Sequence, residues 1–375
     1  MKIIVSGGHL TPALSFIDYV ATQKNDVVVF VGREYSQSRL QQKSVEKDEV
    51  GKRNIHFIQF DSGKLNLTDL LHLPAECFKC IFSFLEANKI FDQEKPDIFV
   101  SFGGYLAVPL ALTAWMKRIP VVTHEQTITV GTANRIIGLI AKKVAISFPE
   151  SSSAFPPHKV SLTGNLTREQ LWQKNPPQPS WAKNLSKSQL LYITGGSQGS
   201  QSINLIVKSI VPALLENWSI IHQCGKPNLA QNYKVDLEEM KAHLPEGLRD
   251  RYQIQEWISE DELAWIYRYA RAMISRAGAN TVQEVIRAAI PTIFIPLTHT
   301  HHNEQVKNAL SLVKNKAALM LRQGDLSSEH LLGMLSQILE NHDSFVKELT
   351  SVQAALPLHA AEKLYQLIIE IRHEK

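Results

Sequence analysis

The chain has 375 residues, of which 44% are hydrophobic and 20% charged, an ordinary globular composition long enough for two domains of ~100–200 residues each. Its 40 Lys and Arg against 36 Asp and Glu leave a formal charge of +4, too small for a protein whose affinity depends on neutralising a polyanion, so nucleic acid is not an expected partner. Three cysteines cannot supply a disulfide framework, the glycine-rich turn after Val5 leaves no signal-peptide core, and no run reaches the ~18 apolar residues of a membrane span; the expectation is a reducing cytoplasm and, at most, peripheral membrane association.

Along the chain, short β-branched runs alternate with helical periods, the pattern of parallel sheets covered by helices on both faces. The first strand, Lys2 to Val5, turns through Ser6-Gly7-Gly8-His9 into a helix with Thr11 as expected N-cap and Pro12 as first helical residue. From Leu73 to Leu85, Phe78, Ile81, Phe82 and Leu85 form one helical stripe, while Leu73, Cys77, Cys80 and Phe84 form a second. Glu76, Lys79 and Ser83 mark the polar face. One stripe serves the sheet, and the other is either buried too or turned toward an apolar partner. Cys77 and Cys80 make a Cys-x-x-Cys with no second pair, which argues against zinc.

Ile98 to Val100 then runs into Ser101-Phe102-Gly103-Gly104-Tyr105. Val121 to Thr123 delivers His124-Glu125-Gln126 to the C-terminal end of a strand, where ligands bind in open α/β sheets. The densest proline cluster, Asn175-Pro176-Pro177-Gln178-Pro179-Ser180, is the best candidate for an interdomain connection. After it, Leu190 to Ile193 opens into Thr194-Gly195-Gly196-Ser197-Gln198-Gly199-Ser200, followed by Ile203, Ile206, Val207, Ile210 and Leu214 at helical spacing. Strand, glycine turn and helix therefore recur, as expected of two similar units in tandem. Ala272 to Ser275 leads through Arg276-Ala277-Gly278 to Glu284, a carboxylate able to accept two ribose hydroxyls. A polar loop follows from His299 to Gln305; its His299, His301 and His302 lack the carboxylate or cysteine framework of a metal site. At the end, Ala361, Leu364, Leu367, Ile368 and Ile371 mark an amphipathic helix.

A glycine turn feeding a helix N-terminus lets backbone N–H groups approach an anion, and the helix dipole adds roughly half a positive charge there. One such turn is often no more than a tight connection. Three in one chain, two of them heading tandem units, point to phosphate ligands bound between domains. None carries the Walker lysine, and none is a Gly-x-Gly-x-x-Gly with its acidic partner, so ATPase and dehydrogenase chemistry are not expected.

Taken together, these segments resemble the MurG family of peptidoglycan glycosyltransferases. The resemblance is carried by Gly7-Gly8-His9 with Pro12-Ala13-Leu14, Gly103-Gly104-Tyr105, His124-Glu125-Gln126, and Gly164-Asn165 with Arg168. It continues through Gly195 to Gly199, His222-Gln223 with Gly225-Lys226, Ser275 to Ala279, and Glu304-Gln305 with Asn308-Ala309, in the family's order over most of residues 1–325. It implies an α/β chain of GT-B type, two Rossmann-like domains facing a central cleft. An acceptor and membrane-associating domain would span 1–165, a linker 166–187, a UDP-N-acetylglucosamine domain 188–355, and a terminal helix 356–375 would pack back toward the first domain.

The implied activity is that of an inverting hexosyltransferase without cofactor or catalytic metal. It moves N-acetylglucosamine from UDP-N-acetylglucosamine to the C4 hydroxyl of an undecaprenyl-diphosphate-linked muramoyl pentapeptide, in cell-wall synthesis that serves cell shape and division. In that reading His9 is the catalytic base, since imidazole titrates near neutrality, or else only orients the acceptor. Ser6, Gly7, Gly8, Thr127, Arg168, Ser197, Ile258, Ala279, Asn280, Thr281, Val282, Gln283, Glu284, Glu304 and Gln305 would bind the donor. Gly8, Gly103, Gly104, Tyr105, His124, Glu125 and Gln126 would bind the acceptor.

Three departures from the family pattern stand out: a first loop shorter than Gly-Gly-Thr-Gly-Gly-His, Thr127 where the family has Asn, and Leu166 where it has Pro. The resemblance also implies an apolar patch ringed by basic residues, completed by Trp115, Lys117, Arg118, Lys142 and Lys143, resting on anionic inner-leaflet lipid at the cytoplasmic face of the membrane. Each basic group is worth about 1 kcal/mol near such a surface. Two alternatives stay open: another GT-B enzyme using a UDP-sugar, such as a lipid glycosyltransferase or an epimerase, and a non-catalytic nucleotide-sugar-binding protein.

Overall fold

The computed structural model describes the chain except residues 38–41, 44, 63–72, 197, 228–230, 299–302, 358 and 374–375; at 35–37, 42–43, 45 and 73–81 it describes the backbone alone. Ser197, His299, His301 and His302 therefore lie outside the described residues, as do the side chains of Leu73, Glu76, Cys77, Phe78, Lys79, Cys80 and Ile81. The chain divides into two compact units, Met1–Arg168 with Pro357–Lys375, and Glu169–Leu356.

The first unit runs β1 (Lys2–Ser6), α1 (Leu10–Ala21), β2 (Val27–Gly32), a ribbon of β3 (Tyr35–Gln37) and β4 (Gln42–Lys43), α2 (Val45–Gly51), β5 (His56–Gln59), α3 (Leu73–Glu94), β6 (Ile98–Ser101), α4 (Ala107–Met116), β7 (Val121–Glu125), α5 (Thr132–Ile140), β8 (Lys143–Ile146) and β9 (Val160–Leu162). Outside the ribbon the strands form one parallel sheet in the order β5-β2-β1-β6-β7-β8-β9. Successive side chains of a strand face opposite ways, so Ile3 and Val5 join α1 residues Phe16 and Ile17 in one core. Ile4, between them, joins Leu110, Ala111 and Ile137 of α4 and α5 in another. The strand order reverses between β1 and β6, which places a crevice at their C-terminal ends.

Two local expectations change. α1 begins at Leu10 with His9 as its N-cap residue, ahead of Thr11. Pro12 sits within the first turn, where N–H groups have no intrahelical acceptor and its missing one costs nothing. In α3, Ser83 faces inward with its hydroxyl 3.4 Å from that of Ser62, while Phe82 and Leu85 are 55% and 64% exposed. The polar mark of that helix is therefore turned inside and part of its apolar stripe outside.

The second unit contains β10 (Leu190–Thr194), α6 (Gln201–Asn217), β11 (Ser219–Gln223), α7 (Tyr233–Ala242), α8 (Glu246–Arg249), β12 (Tyr252–Gln255), α9 (Glu260–Tyr269), β13 (Ala270–Ser275), α10 (Ala279–Ala288), β14 (Thr292–Phe294), α11 (Glu304–Lys314), β15 (Leu319–Met320), α12 (Ser328–Glu340) and α13 (His342–Ala354). Its sheet, order β12-β11-β10-β13-β14-β15, is parallel throughout and reverses between β10 and β13. Ile203, Val207, Ile210 and Leu214 of α6 pack with Leu191 and Ile193, and Leu190 and Tyr192 face the other core. Within the stretch read as a linker, Leu171, Ala182 and Leu185 are buried in that second core, on short 3₁₀ turns at Glu169–Trp172 and Ser180–Ala182.

The chain then returns to the first unit as α14 (Ala360–His373). Its buried Leu364, Ile368 and Ile371 lie in the core of α1, each worth about 1.5–3 kcal/mol of burial. Tyr365 adds a hydrogen bond from its hydroxyl to Asp26, 2.6 Å.

Candidate active site

At the reversal between β1 and β6, the register sets Ser6 beside Ser101, and the two glycine turns that follow touch backbone to backbone. A Cβ on Gly8 would lie 2.8 Å from the Cα of Gly104, and one on Gly104 equally close to the Cα of Gly8. Gly103 and Gly104 have φ of +74° and +82°, which an L side chain resists. The Gly8 N–H donates to the Gly103 carbonyl (2.9 Å) and the Gly103 N–H to the Ser101 hydroxyl (3.1 Å). The first bond stitches the two turns together and the second braces the Gly103 turn from within, which leaves the opening amides of α1 to meet an anion there. Tyr105 follows, half-buried, with the Arg33 guanidinium 5.3 Å from its ring centroid.

β7 runs under these turns and ends in His124 and Glu125, both buried. One Glu125 oxygen accepts from the N–H and hydroxyl of Thr127 (3.0 and 2.8 Å), the other from the Gly131 N–H (3.1 Å) and Asn134 Nδ2 (3.0 Å). Asn134 also accepts from the Thr123 hydroxyl (2.7 Å) and lies against the bare face of Gly103, 3.1 Å from where a Cβ would be. The carboxylate therefore holds the loop into α5, and Asn134 carries that constraint to the second glycine turn. Thr127 faces inward in this network, and its hydroxyl is also 2.7 Å from the Thr129 carbonyl.

His124 Nε2 is 3.1 Å from the Gly164 carbonyl. A carbonyl only accepts, so Nε2 carries the proton. Burial pushes the His124 pKa down to about 4, which keeps the ring neutral, and its buried Nδ1 makes no hydrogen bond among the described residues. The same holds for Ser6 Oγ, Gln126 Oε1 and Asn165 Nδ2. Such atoms are what a polar ligand or ordered water satisfies. His9, half-buried at the head of α1, has its pKa lowered by burial, an effect that Glu125 partly opposes; its imidazole is therefore neutral at pH 7 and able to take a proton.

The second unit repeats the arrangement. Gly199 (φ +73°) and Gly225 (φ +91°) press together, and a Cβ on Gly199 would lie 2.1 Å from the Cys224 carbonyl. The Gly196 N–H donates to Thr194 Oγ1, 3.0 Å. Ser200 is the N-cap residue of α6, yet its hydroxyl makes no capping bond; Arg276 Nη2 reaches it at 2.6 Å and Ser202 at 2.9 Å, while Nη1 donates to the Ile295 carbonyl. Burial lowers the Arg276 pKa, but a guanidinium stays charged. A buried cation thus sits at the positive end of a helix, bonded to neutral oxygens. Like polarities meet there, which an anion resolves.

Of the other donor candidates, Ala279, Asn280 and Thr281 form the first turn of α10, with Gly278 as N-cap residue. Asn280 Oδ1 and Gln283 Nε2 are buried without a hydrogen bond among the described residues, whereas the Val282 side chain belongs to the apolar core. Glu284 is buried and accepts from the Tyr267 hydroxyl, 2.8 Å. Ile258 is buried just before α9, whose capping box pairs Ser259 with Glu262. Glu304 and Gln305 open α11, and Gln305 accepts from the Leu297 N–H, 3.1 Å. Arg168 closes the first unit, half-buried. Sequence reasoning passed over Asn134, Tyr267 and Arg33, which carry no motif, and treated Arg276 only as part of one.

On the outside of the first unit, α3 packs on α4 and α4 on α5. Their outer faces expose Phe82, Leu85, Trp115, Met116, Ile136 and Leu139. Arg118, Arg135 and Lys142 are exposed on the same helices or just beyond them, while Lys117 is tied to Asp92 at 2.6 Å. No helix among the described residues is long and apolar enough to cross a membrane.

Residues 3–146 match the Glycosyltransferase family 28 N-terminal domain and residues 190–365 the C-terminal domain of that family. The UDP-N-acetylglucosamine--N-acetylmuramyl-(pentapeptide) pyrophosphoryl-undecaprenol N-acetylglucosamine transferase of Clostridium perfringens is 32% identical over 354 residues, 93% of each chain. The crystal structure of Acinetobacter baumannii MurG superposes with a TM-score of 0.73 at 26% identity, over 98% of this chain and 99% of that one. A UDP-GlcNAc 2-epimerase from Neisseria meningitidis, bound to UDP-GlcNAc, shares the fold at a TM-score of 0.66 and 13% identity, over 99% of this chain and all of that one.

Proposed function

The chain belongs to glycosyltransferase family 28, and we propose that it transfers N-acetylglucosamine from UDP-N-acetylglucosamine to the C4 hydroxyl of undecaprenyl-diphospho-muramoyl pentapeptide, inverting the sugar's anomeric centre. The acceptor oxygen forms a bond to the anomeric carbon as the bond to UDP breaks on the opposite face. Negative charge gathers on the departing diphosphate, and the acceptor's proton passes to His9. The observation that best supports a diphosphate in the second unit is Arg276, buried at the N-terminus of α6 beside the Gly195 to Gly199 turn. Fixed dipoles and a fixed cation at that point stabilise the charge where it develops. Ser197 of that turn is assigned to the same diphosphate, Ile258 meets the uracil through its backbone, and Glu284 takes the ribose. Ala279, Asn280, Glu304 and Gln305 face the sugar.

In the first unit the acceptor diphosphate meets the head of α1 and the paired turns of Gly8 and Gly103-Gly104-Tyr105. His124 Nδ1 and Gln126 Oε1, both unsatisfied acceptors, serve hydroxyl or N–H groups of the acceptor substrate and not its diphosphate, while Glu125 acts from behind, through the loop it holds. The neutral His9 supports its role as base, a function worth ~10²- to 10⁴-fold in rate. The exposed apolar faces of α3, α4 and α5, with their basic fringe, support a peripheral seat on anionic lipid at the cytoplasmic face of the membrane.

One assay tests the activity: radiolabelled UDP-N-acetylglucosamine with a short-chain lipid-linked muramoyl pentapeptide, scored for the lipid-linked disaccharide. Release of an epimerised free sugar, or donor binding without turnover, would replace the transferase reading with one of its alternatives.

A further inference from the structure

Beyond the residues assigned to ligand, we infer that Tyr267 is the positioning residue for ribose recognition, holding the Glu284 carboxylate in the orientation that receives the 2′- and 3′-hydroxyls. The inference rests on the reading of Glu284 as the ribose acceptor. A carboxylate has about four acceptor sites, and the 2.8 Å bond from the Tyr267 hydroxyl to Oε2 occupies one of them and sets its orientation. Glu284 rises from α10, and a glutamate has three rotatable bonds; a diol read by two hydrogen bonds needs them fixed before it arrives.

Tyr267 is itself held by two aromatic rings. Its ring stacks on Trp172 (centroids 6.1 Å apart, planes at 14°) and meets Tyr192 edge-on (6.3 Å, 69°). Trp172 in turn carries Arg287, whose guanidinium lies 4.5 Å from the Trp172 centroid and forms two 2.9 Å bonds to Glu169. Arg287 and Glu284 are three residues apart on α10, hence on one side of it, so the aromatic stack grips this helix at two points. On its other edge, the Tyr192 hydroxyl donates to Gln223 Oε1 (2.6 Å), which also accepts from Thr194 Oγ1 (3.3 Å), the acceptor of the Gly196 N–H. One buttress therefore supports the ribose carboxylate and the diphosphate turn together.

The test is calorimetric binding of UDP and 2′-deoxy-UDP to the full chain, wild type and Tyr267→Phe. Phe keeps the ring and its stacking, and removes only the hydroxyl. A hydrogen bond to a charged acceptor is worth about tenfold or more in affinity, and a site built around a hydroxyl rejects the analogue lacking it. The wild type is expected to prefer UDP by about tenfold or more, and Tyr267→Phe by about twofold, with the KM for the donor sugar raised and kcat within about twofold. Equal weakening of both ligands with the preference intact, or no change at all, overturns the inference and makes Tyr267 ordinary packing. A wild type that does not discriminate between the two nucleotides sinks the ribose role of Glu284 itself, a different result from the first.

Discussion

Replacing Glu125 by Gln separates two roles for the carboxylate at the end of β7, contact with the acceptor or support of the loop into α5. The carboxylate receives three N–H donors and also faces the Thr127 hydroxyl, whose single proton is shared with the Thr129 carbonyl. An amide keeps one oxygen and presents an NH₂ in place of the other. Turned toward Gly131 and Asn134, the NH₂ faces two donors; turned toward Thr127, it faces one N–H and a hydroxyl able to reverse. The second orientation is cheaper, and still leaves a buried N–H without its acceptor while the remaining bonds lose a charged partner. One bond to a charged acceptor is worth about 1.5–3 kcal/mol, so the whole change costs about 2–4 kcal/mol. For a unit of this size that lowers the melting temperature by roughly 4–16 °C.

Differential scanning calorimetry measures this shift directly, and turnover on a soluble acceptor is followed in parallel. A second readout comes from His9, whose pKa burial lowers and Glu125 raises. Without the negative charge the acid limb of kcat/KM moves to still lower pH. A variant that melts within about 2 °C of wild type, yet loses turnover more than about 100-fold, would refute the supporting role and place the carboxylate on the substrate.

Three further outcomes are expected. His9→Ala lowers kcat by about 10²- to 10⁴-fold with donor affinity unchanged, and the wild-type rate falls with acidity only below pH 6.5, since protonation removes the base and burial delays it; near-normal turnover, or a limb above pH 6.5, contradicts the base assignment. Gly199→Ala forces an L residue into left-handed backbone, roughly 1–2 kcal/mol, and drives its methyl into the Cys224 carbonyl; UDP binding by calorimetry should be lost or weakened by more than about tenfold, and retained affinity would show that the turn is not a ligand site. Charge reversal at Lys142 and Lys143 should weaken sedimentation with anionic vesicles, by about 1 kcal/mol per residue, while leaving turnover on a short-chain acceptor intact; unchanged vesicle binding would count against that face.

The two α/β units and the turns that serve them are legible in the amino-acid order alone. Period-2 and period-3.6 patterns are local, and glycines such as Gly103, Gly104 and Gly199 mark backbone that no other residue adopts comfortably. That order also singled out His9, because a histidine directly after a strand-ending glycine turn is visible without coordinates. What it could not decide is where long-range packing sends a side chain. Ser83 reads as surface and turns inward, Phe82 turns outward, and the motif does not show the bonds that tie Thr127 to Glu125. Asn134 and Tyr267 belong to no motif and gain their roles from Gly103 and Glu284, 31 and 17 positions away. Whether a carboxylate meets a ligand or a helix depends on which donors the fold brings to it. For Glu125 they come from the loop and helix that follow it, for Glu284 from the helix 17 positions before it, and folding has to bring each within hydrogen-bonding distance.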